Sequence, residues 1–431
     1  MAGFLLPSYH IFRGTHRIPK LNKKRSHDMF RNEHSRPAIF ALLLLFVAGC
    51  SAYGGNKYAA AADRYHSPSL LMTQASKGNA KYVRILLTDG VNPNETGTDY
   101  HTLRLIEEYI GDDGTSDLLL GEGVRWRPFK DDNMTPLMAA TTGANADIVR
   151  TLLKMRANPN VKTTHGFTPL TLAALAGNSR IVYMLLDGGA KIDSRTRGGA
   201  TALLVAILRE DRQMAEILLS RDANPDVASR NGLTPLLLAI HENKPELVSL
   251  LLEYEANPDR GDRVGTTPLQ LALSEDKKEI ARLLLKSGAD PDRPDKEGLT
   301  PLMAAIRDGK TEVVGFLLDN NADPNRSDKE GVTPLLAAIR GGKPGIASLL
   351  LAHNADPNLR DKQGCTPLMA AVAAGNRKLV KELLARGADV SITNDEGMTA
   401  LATANADGKR DLIIIKLLEK AEAAKMAEAK K

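Results

Sequence analysis

From residue 135 onward the apolar and polar letters fall in a fixed order. Threonine recurs at 135, 168, 201, 234, 267, 300, 333, 366 and 399, with leucine two residues later and alanine five residues later in every case. A second apolar run follows, carrying pairs such as Leu152/Leu153 and Leu317/Leu318, and Gly, Asn, Asp and Pro separate the runs. The period is 33 residues. Each period reads as two short helices and a turn. Threonine caps the first helix, and proline leads it in all units except those with Ala202 and Ala400. Glycine two residues before the threonine, at 166, 199, 232, 265, 298, 331, 364 and 397, predicts a turn with positive φ. The alanines, Ala305 and Ala338 among them, let paired helices approach. Each unit leaves an apolar face that its neighbours must bury.

Together these features resemble the ankyrin repeat, with its Gly-x-Thr-Pro-Leu opening, two helices and a closing Asn/Asp-Pro-Asn/Asp turn. The resemblance covers about residues 69–420. It implies an all-α repeat solenoid of about ten to eleven units, each a helix-turn-helix with a β-hairpin loop. Counting back by 33 from Thr135 reaches Thr102 and Ser69. Residues 69–134 are therefore read as divergent N-terminal units. The stretch 95–134, with Trp126 where other units have proline, is either an eroded repeat or a local embellishment. Residues 135–398 are the regular repeats, and 399–431 a capping unit with a charged helix. The histidine usual in the family after Thr-Pro-Leu is replaced by Met138, Thr171, Leu204, Leu237, Gln270, Met303, Leu336 and Met369. Apolar packing is expected there in place of a local hydrogen bond.

Composition changes the picture mainly at the N-terminal end. The 431 residues are 43% hydrophobic and 25% charged, as in an ordinary folded chain, with a formal net charge of +5. Residues 1–49 hold eight of the 57 Lys/Arg but two of the 52 Asp/Glu, so the remainder balances near −1. The basic character belongs to this leader. Its apolar run from Ala38 to Ala48 is too short to span a bilayer and suits the core of a secretory signal. Val47-Ala48-Gly49-Cys50 then resembles the lipobox of bacterial lipoproteins. That resemblance implies lipidation at Cys50, a tether over 50–68, and, because Ser51 follows, sorting to the outer membrane facing the periplasm; the inner membrane or the periplasm is the alternative. Met29 begins a more usual leader and is an alternative start to Met1. With Cys50 acylated, Cys365 has no intramolecular disulfide partner.

Six cations stand four residues before successive threonines, at Arg197, Arg230, Arg263, Lys296, Lys329 and Lys362. Two readings apply. They are a basic stripe of hairpin tips that binds a partner, or they belong to Asp-x-x-Gly turn chemistry set by Asp262, Asp295, Asp328 and Asp361. His241, Arg307 and Arg340, seven residues after their threonines, extend the candidate binding set along the first helices. No zinc, phosphate-loop or nucleophile-elbow motif is present. His66, His101, His165, His241 and His353 occupy unlike repeat positions and do not align. The expectation is a non-catalytic scaffold that binds a protein partner, uses no cofactor and is held to the cell envelope by lipid. A polyanion-binding or envelope-stress accessory role through the basic tips is the alternative. Low aromatic content, 4%, and the balanced charge weigh against nucleic acid.

Overall fold

The computed structural model describes residues 68–97, 133–406 and 411–428. The leader, Cys50, the tether, Trp126, His66 and His101 lie outside them. Two compact units divide the chain, residues 1–202 and 203–431. Among the described residues there are twenty α-helices and no strand.

In the first unit the helices are α1 Pro68–Ser76, α2 Ala80–Thr88, α3 Pro136–Thr142, α4 Ala146–Lys154, α5 Pro169–Ala176 and α6 Ser179–Asp187. The odd-numbered helices stack on one another, and so do the even-numbered ones. Helix α1 lies directly against α3, and the Asn145 amide donates to Ala75 O and Ser76 O at 2.8 and 3.0 Å. Gly97 and Met134 exchange both backbone hydrogen bonds, at 2.9 and 3.0 Å. Thr163 and Phe167 occupy the corresponding hairpin positions in the next repeat. The described repeats on either side of residues 98–132 are therefore in direct contact with each other. Most of 95–134, over which the two readings stand, lies outside the described residues.

The second unit contains α7 Ala202–Leu208, α8 Arg212–Leu219, α9 Pro235–His241, α10 Pro245–Glu253, α11 Pro268–Ser274, α12 Lys278–Lys286, α13 Pro301–Asp308, α14 Thr311–Asp319, α15 Pro334–Arg340, α16 Pro344–Ala352, α17 Pro367–Ala373, α18 Arg377–Ala385, α19 Ala400–Ala406 and α20 Leu412–Glu428. First helices α9, α11, α13, α15, α17 and α19 form one continuous stack. Leu302, Leu335 and Leu368 are fully buried in it, and Ala305 and Ala338 are 5% and 0% exposed.

Local chemistry sets these boundaries. The hydroxyls of Thr135, Thr234, Thr300, Thr333 and Thr366 accept the backbone N–H three residues on, at 3.1 to 3.3 Å. Proline occupies the first turn, where no donor is lost. Thr171 and Gln270 depart from the expected loss of hydrogen bonding. Each returns a bond to its capping threonine's N–H, at 2.8 and 3.0 Å, and Gln270 also donates to Leu299 O in the next repeat at 2.8 Å.

Candidate interaction surface

The eight hairpin glycines all have positive φ, from 73° to 88°. Conformation is only half of the requirement. A Cβ on Gly232 would sit 2.6 Å from Arg263 N, and one on Gly265 2.7 Å from Lys296 N. These two tips of the second unit are thus pressed against the ones that follow them. The aspartates organise the same turns. Asp262 Oδ1 accepts from Val264 N and Thr266 N at 3.0 and 2.9 Å, and Asp295, Asp328 and Asp361 repeat the pattern. Turn chemistry accounts for the carboxylates.

The cations lie at the exposed apex. In the first unit, Arg197 N donates to His165 O at 2.7 Å. In the second, Lys296 Nζ donates to Arg263 O, and Lys329 Nζ to Lys296 O at 3.1 Å. Lys362 N donates to Glu330 O at 3.2 Å, and its Nζ lies 3.7 Å from the Glu330 carboxylate. These three lysines join neighbouring tips while presenting their charge outward. Arg230 and Arg263 are exposed, and their guanidinium groups form no ion pair among the described residues. The tips of the second unit are therefore a physical row.

The three first-helix candidates differ from one another. Arg307 is exposed, 3.5 Å from Asp308. His241 Nδ1 lies 3.2 Å from Glu275 Oε1, half-buried between repeats. Arg340 reaches Asp361 at 2.5 Å, and the Asp361 side chain has no exposure. Burial acts to raise the Asp361 pKa, but the Cys365 amide and the Arg340 guanidinium outweigh it and hold the carboxyl below its ordinary value. Arg340 spends its charge on that carboxylate.

Another series went unmarked in the sequence. Lys244, Lys277, Lys310 and Lys343 stand ten residues after successive threonines. Lys277 Nζ donates to Ile240 O and His241 O at 2.6 and 2.7 Å, Lys310 Nζ to Ser274 O at 3.0 Å, and Lys343 Nζ to Arg307 O at 3.2 Å. These carbonyls end the first helix of the preceding repeat, where they lack intrahelical partners and carry the negative end of the dipole. The lysines close one repeat onto the next. Lys244 instead meets Glu210 at 2.7 Å. Their shared spacing of 33 is the signal that would have found them.

The family profile described as "Ankyrin repeats (3 copies)" matches residues 108–196, 156–229, 203–295, 289–361 and 345–428, an unbroken run from 108 to 428. The chain belongs to the ankyrin repeat family. Similar solved structures include the ankyrin repeat domain of Bcl-3, a member of the IkappaB protein family. It is 30% identical with a TM-score of 0.45, covering 51% of this chain and 99% of that one. An ankyrin repeat domain from Acinetobacter baumannii AYE is 32% identical with a TM-score of 0.39, covering 43% of this chain and 98% of that one. No curated protein matches this chain.

Ankyrin repeats are generally non-catalytic modules that bind protein partners. Among the described residues, no three His, Cys, Asp or Glu side chains converge as a metal site requires, and no helix is long and apolar enough to cross a membrane. What this ankyrin array offers chemically is a repeated, outward-facing set of hydrogen-bonding and charged groups.

Proposed function

We propose that the chain is a protein-binding ankyrin scaffold tethered to the bacterial cell envelope by a lipid on Cys50, facing the periplasm from the outer membrane. The observation that carries the binding role is the row of exposed cationic tips, held at fixed spacing by contacts between successive turns. A solenoid places equivalent side chains in line, so several weak charged contacts act on one partner and speed its encounter. Val47-Ala48-Gly49-Cys50 after an apolar run supports the anchor, since a thiol is the nucleophile that thioether formation needs.

Binding is tested best at Arg230 and Arg263, because Lys296 and Lys329 also bond to neighbouring tips. Arg230→Glu with Arg263→Glu should leave the fold and the lipid intact, yet weaken cross-linking to an envelope protein in a salt-dependent manner. Unchanged cross-linking contradicts tip-mediated binding. For the anchor, cells given a fatty-acid analogue should yield a labelled protein beginning at Cys50, and Cys50→Ser should lose the label. An unlabelled mature protein free in the cytoplasm contradicts it.

A further inference from the structure

Behind the tips, the hairpin stems of the second unit carry another file of cations. Arg260, Arg293 and Arg326 each stand seven residues before a capping threonine, and all are exposed. Their backbones share one geometry, each N–H donating to the carbonyl three residues back, at 3.3, 3.2 and 3.5 Å. The residue before each is an acceptor that locks one repeat to the next. Asp259 accepts from Asp290 N at 2.9 Å, Asp292 from Asp323 N at 3.0 Å, and Asn325 from Asp356 N at 2.7 Å. Three arginines thus recur at equal steps along one edge, bounded by Val227 and Leu359 at the equivalent positions.

Their guanidinium groups form no ion pair among the described residues, because the carboxylates around them face backbone amides. The step between packed repeats is roughly 8–10 Å. A polyproline-II chain rises about 3.1 Å per residue with three residues per turn, so every third side chain points the same way about 9.3 Å on. A β-strand repeats its face about every 6.7 Å, out of step with the file. Guanidinium is also the side chain best matched to a carboxylate, which it can hold by two parallel bonds.

We propose that Arg260, Arg293 and Arg326 form a docking track for an acidic peptide in polyproline-II conformation, with a carboxylate at every third residue and one carboxylate per arginine. The track rests on the reading of this chain as a protein-binding scaffold, and gives its partner a chemistry. The competing role is internal: Arg326 acts on Asp292, and the file offsets the negative charge of the Asp259, Asp290, Asp292 and Asp323 ladder.

Fluorescence anisotropy on the full chain separates the two. A labelled peptide of five Glu-Pro-Pro triplets should bind about tenfold more tightly than one of the same composition with its five glutamates contiguous, as expected for three modest exposed pairs. The triple variant R260Q/R293Q/R326Q should bind both peptides equally and weakly. The single variants R260Q, R293Q and R326Q should each lose about twofold, which holds the test open if the triple variant unfolds. Equal binding of both peptides, single variants that bind as the unaltered chain does, or tighter binding of a single-stranded oligonucleotide through the same arginines would overturn the track. Failure here leaves partner capture at Arg230 and Arg263 standing, since those tips are a separate row.

Discussion

Glycine at 232 answers two demands at once, a positive φ and the approach of Arg263. Gly232→Ala should therefore destabilise the chain by about 1–3 kcal/mol, because a left-handed alanine is strained and its Cβ meets backbone that cannot swing aside. Thermal unfolding measures it. Lys277 presents a different case, a cation with 11% side-chain exposure that closes the end of α9. Lys277→Ala leaves two carbonyls without that donor and should cost about 1–3 kcal/mol. Lys329→Ala, at an exposed tip, should cost less than about 1 kcal/mol. The positive φ of the glycine and the cap of the threonine were legible in sequence because each answers to its own backbone, whereas the approach of Arg263 to Gly232 was not. Lys277 and Arg340 were not, because their partners, Ile240 and Asp361, belong to other repeats.

Among elements, the stacked first helices were the most readable, and Ala305 and Ala338 stand where the alanine spacing placed them. Ala305→Leu or Ala338→Leu should overpack the stack at a cost of about 1–3 kcal/mol, checked by denaturant unfolding. The segment 98–132 was the least readable. Thirty-seven positions separate Gly97 from Met134, where four separate Thr163 from Phe167. The excess equals one repeat, so counting by period could not tell an inserted loop from an intervening unit. Helix α20 is held differently from the other second helices, by Lys425 donating to Asp389 and to Ser391 Oγ. The Lys425 ammonium, with the Ser391 amide and hydroxyl, lowers the Asp389 pKa to about 2. An unfolded aspartate titrates near 3.9, so this contribution is full above about pH 4 and is lost as pH falls through about 2. The fraying of α20, followed by NMR, should rise across that window. Lys425→Ala should reduce the pH dependence, leaving the part that belongs to Asp411, whose carboxyl the Arg377 guanidinium and the Ile413 and Ile414 amides hold below its ordinary value.

For the molecule as a whole, a 33-residue register turns single side chains into rows, and the proposed partner contacts are rows of exposed cations. The direct measurement is site-specific photo-cross-linking in living cells. A photoreactive residue is placed at Arg230 or Arg263 on the tips, at exposed Lys381 on second helix α18, or at Arg150 on second helix α4. Discrete cross-links to a common protein partner from the tip positions, weakened by charge reversal at the neighbouring tip and absent from the two second-helix positions, are the predicted result. Cross-links to that partner from Lys381 or Arg150 with none from the tips would contradict the account.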